Sequence, residues 1–149
     1  AAIVTRLAFG KTDVIQMFNG CIGGLVAITA EPLMPSPLAA ILIGAVGGII
    51  VVYGTKFLLS MKIDDVVGAI PAHLFAGIWG TLAVPITNPD TNFGAQLLGV
   101  ISINAFVFIV SLIVWAIMKN TIGIRLSKEG ELKGTDVTET GVIAYAIRD

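Results

Sequence analysis

The chain predicts an all-α polytopic membrane protein, and three observations carry that expectation. Four long apolar runs, near 14–30, 38–59, 66–86 and 95–118, separate five polar stretches. Hydrophobic residues make up 56% of the sequence and charged residues 13%, on the apolar side of soluble usage. All nine Lys and Arg lie on one side of an alternating pattern. Arg6 and Lys11 precede the first run, Lys56 and Lys62 lie between the second and third, and Lys119, Arg125, Lys128, Lys133 and Arg148 follow the fourth. The loops at 31–37 and 87–94 contain neither residue type. Short cytoplasmic loops keep Lys and Arg while translocated loops lose them, so runs one and three are expected to leave the cytoplasm and runs two and four to return. The C-terminus is then cytoplasmic.

Each element follows from local chemistry. Residues 1–9, AAIVTRLAF, read as the last turns of a helix that Gly10 stops, followed by a polar turn with Thr12 and Asp13 as N-cap candidates. The chain is therefore expected to be the C-terminal part of something longer. A span needs about 20 apolar residues. Runs two and four meet this, run one is short and carries Asn19 and Thr29, and run three carries Pro71 and His73. Four buried helices of a soluble protein would need polar faces, and run two has no charge before Lys56. Gly20 and Gly24 in run one and Gly44 and Gly48 in run two have the spacing that lets backbones approach closely, so a tightly packed bundle is expected. Loop 31–37, with three prolines, and loop 85–94, rich in Asn and Pro, read as connections at the outer end. Residues 1–118 thus form a transmembrane bundle and 119–149 a mixed-charge cytoplasmic tail.

Several functions are disfavoured at once. A net charge of −1 supplies no basic field, so nucleic acid is not an implied partner. Cys21 is the only cysteine and reads as packing material. No catalytic constellation or metal-ligand cluster is visible, so neither an enzyme nor a cofactor is implied.

The chemistry centres on His73, the only histidine. Ionisable residues inside spans are rare, normally face a bundle interior or aqueous cavity, and often mark a transport path. Pro71 has no N–H to give the Val67 carbonyl, so the helix is expected to bend just below the histidine. Ala69, Ile70, Gly77 and Gly80 share its helical face, which describes a narrow apolar passage with one imidazole in it. Asp64 and Asp65 precede run three and suit the positive end of its dipole, as caps or at a cytoplasmic mouth. Asn19, Thr29, Ser102, Asn104 and Ser111 read as interhelical or backbone hydrogen-bonding groups. Trp79 is expected in the core.

These segments resemble the ammonium transporter family (the Amt/Mep/Rh superfamily). IDDVVGAIPAHLFAGIWGTLAV is similar to that family's tenth transmembrane helix, with an Asp pair at its start and the histidine nine residues after the first Asp. FGKTDVIQMFNGCIGGLVAITA resembles the eighth helix, and GIRLSKEGELKGTDVTETGVIAY the cytoplasmic tail, with Arg125, Asp136, Glu139 and Tyr145 in place. The resemblance implies the last four spans, about 8–11, of an eleven-helix fold, an inner-membrane location and a homotrimer with one pore per protomer. It implies ammonium or ammonia transport for nitrogen uptake. His73 would be the second of two proton-relaying pore histidines, the first lying outside this chain, with Ala69 and Gly77 beside it in the pore. The tail residues would be regulatory, with a PII-type protein as partner. The chain departs from the family at Leu74, where Gly is frequent, at Gly68, where many members have Asp, and at Thr140, where the tail commonly has His. An ammonium sensor on the same fold and a non-transporting membrane scaffold subunit are the alternative expectations.

Overall fold

The described residues, 1–33 and 36–144 of a computed structural model, are helical and contain no strand. Helix α1 (Ala2–Phe9) ends at Gly10, whose φ of 75° is the left-handed cap a side chain disfavours, with its N–H on the Arg6 carbonyl at 2.9 Å. Asp13 caps α2 (Val14–Ile28), its carboxylate accepting from the Gln16 amide at 3.0 Å. Helix α3 (Pro37–Ser60) starts with proline in the first turn, where its missing N–H costs nothing, and Ser36 accepts from the Ala39 amide at 3.3 Å. Helix α4 (Ile70–Thr87) opens as a π-helix over Ile70–Phe75, and α5 (Phe93–Thr121) runs for 29 residues. By length and composition, α3, α4 and α5 are each able to cross a membrane, whereas α2 is apolar but shorter.

The chain divides into two compact units, 1–104 and 105–149. In the first, α2, α3 and α4 pack through small residues. A methyl group placed on Gly24 would lie 3.0 Å from the Gly44 carbonyl oxygen, and one on Gly48 3.0 Å from that of Gly20. The two four-residue glycine pairs therefore face each other, and the backbones meet with no side chain between them. Val51 fills the notch at Gly23, and the Ala27 backbone lies against Gly80. Ala27, Ile43 and Ala83 form one buried cluster, covered by Trp79, whose indole N–H donates to the Ile43 carbonyl at 3.0 Å. Val51, Ala72 and Ala76 form a second.

Polar contacts set the helix directions. Lys56 near the end of α3 donates to the Ala8 carbonyl at 2.9 Å, and the Thr55 hydroxyl donates to the Gln16 side-chain oxygen at 3.0 Å. At the opposite end, Asn88 after α4 donates to the Glu31 carboxylate at 2.9 Å. Helices α2 and α4 are thus parallel and α3 antiparallel to them. Lys56 and the start of α2 share one end, and the loops without Lys or Arg share the other.

In the second unit, Ser127 caps the short helix α6 (Lys128–Lys133) by accepting from the Gly130 amide at 3.1 Å. A π-helical turn follows at Asp136–Thr140, and the Thr138 hydroxyl ties it to the Gly130 carbonyl at 3.2 Å.

Candidate functional site

The third apolar run begins with a turn and becomes helical later than hydrophobicity suggests. Gly68 has φ +74°, a left-handed conformation that ends the segment from Asp65, and Asn19 of α2 occupies the space a side chain there would need. The Asp65 carboxylate then accepts from the amides of Ala69 at 2.9 Å and Ile70 at 2.8 Å, satisfying donors that the first helical turn leaves free. Pro71 follows, packed at Gly54 of α3, and the helix takes π geometry through His73 to Phe75. Single π turns inside α-helices are rare and frequent at functional sites.

The late start leaves His73 in the first turn of α4, yet not at the end of the bundle. Ala72 beside it is buried on Val51, and Val51 lies nine residues before the end of α3 at Ser60. At 1.5 Å per residue that is about 14 Å, near half of a roughly 30 Å hydrocarbon thickness.

His73 and Gly77 line one groove of about 300 Å3 between α4 and the first part of α5. Leu74, Ile78, Val100 and Ile103 supply apolar wall, and Thr81, Gln96 and Asn104 its remaining polar groups. The Asn104 amide is already turned to the Val100 carbonyl at 2.7 Å. No charged side chain lines the groove. His73 is exposed on this open groove, whose wall offers a passing ion no counter-charge and whose imidazole is a group able to take and return a proton. Among the described residues, no cluster of His, Cys, Asp or Glu suited to a metal ion occurs.

The remaining site candidates are dispersed. Ala69 lies outside the groove, at the start of α4 in the Asp65 cap. Asp65 caps the helix and Asp64 is exposed beside it. Gly80 faces Ala27 of α2 and not the groove. In the second unit Arg125 holds Glu131 in a two-point ion pair, at 2.5 and 3.1 Å, and shares a cleft with Glu139. That pairing holds the Glu131 carboxyl below its usual range, chiefly through the hydrogen bond from Arg125. The Asp136 carboxyl is also lowered, first by the Ala144 amide at 2.8 Å and then by that of Val137. Tyr145 lies outside the described residues.

Thr81 and Gln96 belong to the groove and escaped the sequence reading. Thr81 is two turns beyond His73, so helical spacing alone places it on that face, whereas nothing in the sequence states which face of α5 meets it.

Comparison with known proteins adds a separate line. The family model described as Ammonium Transporter Family matches residues 1–145. The chain is 39% identical to ammonium transporter Amt2 of Archaeoglobus fulgidus, over 97% of the chain and 35% of that relative. It is 40% identical to a putative ammonium transporter of Synechocystis sp., over 88% of the chain and 30% of the relative. Ammonium transporter Amt1 of Haloferax mediterranei is 35% identical over 97% of the chain and 29% of its own length. The chain thus spans about a third of the length of these relatives.

Proposed function

This chain belongs to the Ammonium Transporter Family, and we propose that the complete protein moves ammonium or ammonia across a membrane, with the His73 groove as this chain's share of the path. The observation that carries the reading is the lone imidazole on an uncharged, mostly apolar groove at the depth of the Val51 cluster. In a path closed over this wall, bare ammonium would lose its hydration without a counter-charge, which is costly, while ammonia would lose little. An imidazole accepts a proton at one nitrogen and releases one from the other, so His73 passes the proton separately from the neutral molecule. Its partner in that relay is a second histidine outside this chain. Gly77, one turn further, presents no side chain and keeps the path open.

The finer assignments follow the same reading. Asp64 and Asp65 lie at the cytoplasmic mouth, α2 and α4 run outward, and the tail beyond α5 is cytoplasmic, as the distribution of Lys and Arg favours. The protein is a homotrimer of the inner membrane. Arg125, Asp136, Glu139 and Tyr145 serve regulation, with a PII-type protein as the partner at that face.

The test uses the full-length protein in liposomes enclosing a pH dye, challenged with an ammonium gradient. Transport gives a rapid internal pH change that protein-free liposomes lack, and His73→Gln slows it. Saturable ammonium binding without any flux would replace transport by the sensor reading.

A further inference from the structure

We propose that Asn19 is a positioning residue for His73, acting through the Val67 carbonyl of the turn that precedes α4. Pro71 falls in the first turn of α4, where its missing N–H costs nothing, and Val67 lies in the turn before it, so no helical N–H reaches the Val67 carbonyl. The Asn19 side-chain amide supplies a donor from α2, bonding to the Val67 carbonyl at 2.7 Å. Asn19 is 8% exposed, so the bond is sheltered on its α2 side, while Val67 itself lies at the surface of the chain. Gly68 makes the approach possible, because any side chain there would meet the Asn19 amide nitrogen. From this anchored turn the backbone runs directly into the π-helix: the Ala72 amide bonds to the Gly68 carbonyl at 3.3 Å, and His73 is next.

The turn is held on two sides. The Asp65 carboxylate binds the amides of Ala69 and Ile70 from within the segment. The Asn19 amide holds the Val67 carbonyl from α2. Losing it leaves the Val67 carbonyl without its protein partner, and the carbonyl regains one only if the turn moves or water enters. Either change shifts the first residues of α4 relative to α2 and re-aims the imidazole. Asn19 itself is absent from the groove lining, so its effect on conduction passes through His73.

The consequence for flux rests on the transport reading, so the test reads the imidazole directly. Full-length protein labelled with 15N-histidine is compared with Asn19→Asp, which keeps the shape and removes the donor. The His73 signal is identified by its loss in His73→Gln. Gly68→Ala, which drives a methyl group into the same amide from the other side, is the second variant should Asn19→Asp not fold. Both variants are expected to move the His73 ring-nitrogen resonances, and to lower uptake per folded protein about tenfold, equivalent to ~1.4 kcal/mol. Unmoved His73 resonances in folded Asn19→Asp or Gly68→Ala, with only stability reduced, overturn the proposal. Wild-type uptake in His73→Gln would instead remove the transport role of His73 and leave the resonance comparison standing.

Discussion

Replacing Gly80 with alanine places a methyl group where α4 crosses the α2 backbone. Its carbon would lie 2.8 Å from both the carbonyl carbon and the Cα of Ala27, and against that residue's carbonyl oxygen. Ordinary contact begins at 3.4 Å, so the helices must separate by at least about 0.6 Å at this point, the difference of 3.4 and 2.8, and by more to clear the oxygen. Backbone gives less easily than side chain, which puts the cost near the upper end of the ~1–3 kcal/mol typical of overpacking. Alanine recovers up to ~1 kcal/mol of helix propensity over glycine, leaving a net loss of about 2 kcal/mol. Separation also strains the Trp79–Ile43 hydrogen bond beside it. Unfolding of the full-length protein by SDS titration, followed by far-UV circular dichroism, measures the effect. Gly99→Ala is the control, since a methyl group there meets nothing within 4 Å, and it is expected to match or exceed wild type. Gly24→Ala, 3.0 Å from the Gly44 oxygen, falls between. Equal midpoints for Gly80→Ala and Gly99→Ala would refute the account of small-residue packing.

Three further outcomes follow from single contacts. Trp79→Phe keeps the ring over Ala27 and Ile43 but removes the donor to the Ile43 carbonyl, and should cost about 1 kcal/mol in the same titration. Asp65→Ala removes the cap of Ala69 and Ile70 and should cost about 1 kcal/mol, while Asp64→Ala, at an exposed position, changes the midpoint little. In the tail, the Asp136 carboxyl titrates lower folded than unfolded because the Ala144 and Val137 amides favour its ionised form. Its contribution is therefore present at neutral pH and lost as pH falls below about 4. Exchange of the Ala144 amide, corrected for its intrinsic pH dependence, should speed up on acidification, and Asp136→Ala should show that fast exchange already at pH 7.

Much of the architecture was legible because a bilayer-crossing helix must satisfy its backbone internally and present apolar side chains, which leaves long runs in the sequence. Such runs coincide with α3 and α5, and the glycine spacing that suggested close packing appears as the facing pairs of α2 and α3. Asp65 was readable as a cap from its position before an apolar run. Helix starts were harder to read. Val66 and Val67 are as apolar as the helix that follows, yet the left-handed Gly68 holds them in a turn, and hydrophobicity carries no information about φ. The Val67 carbonyl, in the turn before α4, takes its donor from 48 residues away in sequence, and only tertiary packing brings Asn19 to it. The groove was half visible for the same reason. Helical spacing put Gly77 beside His73, whereas Ala69, also one turn away, belongs to the Asp65 cap because π geometry and the turn change the register there.

The measurement closest to the central claim is the current evoked by an ammonium pulse in proteoliposomes of the full-length protein, recorded beside net ammonia uptake in wild type and His73→Ala. If His73 passes the proton separately from ammonia, the variant loses current or its ratio to uptake changes, while the protein stays folded. Current and selectivity both unchanged in His73→Ala would contradict the role assigned to the imidazole.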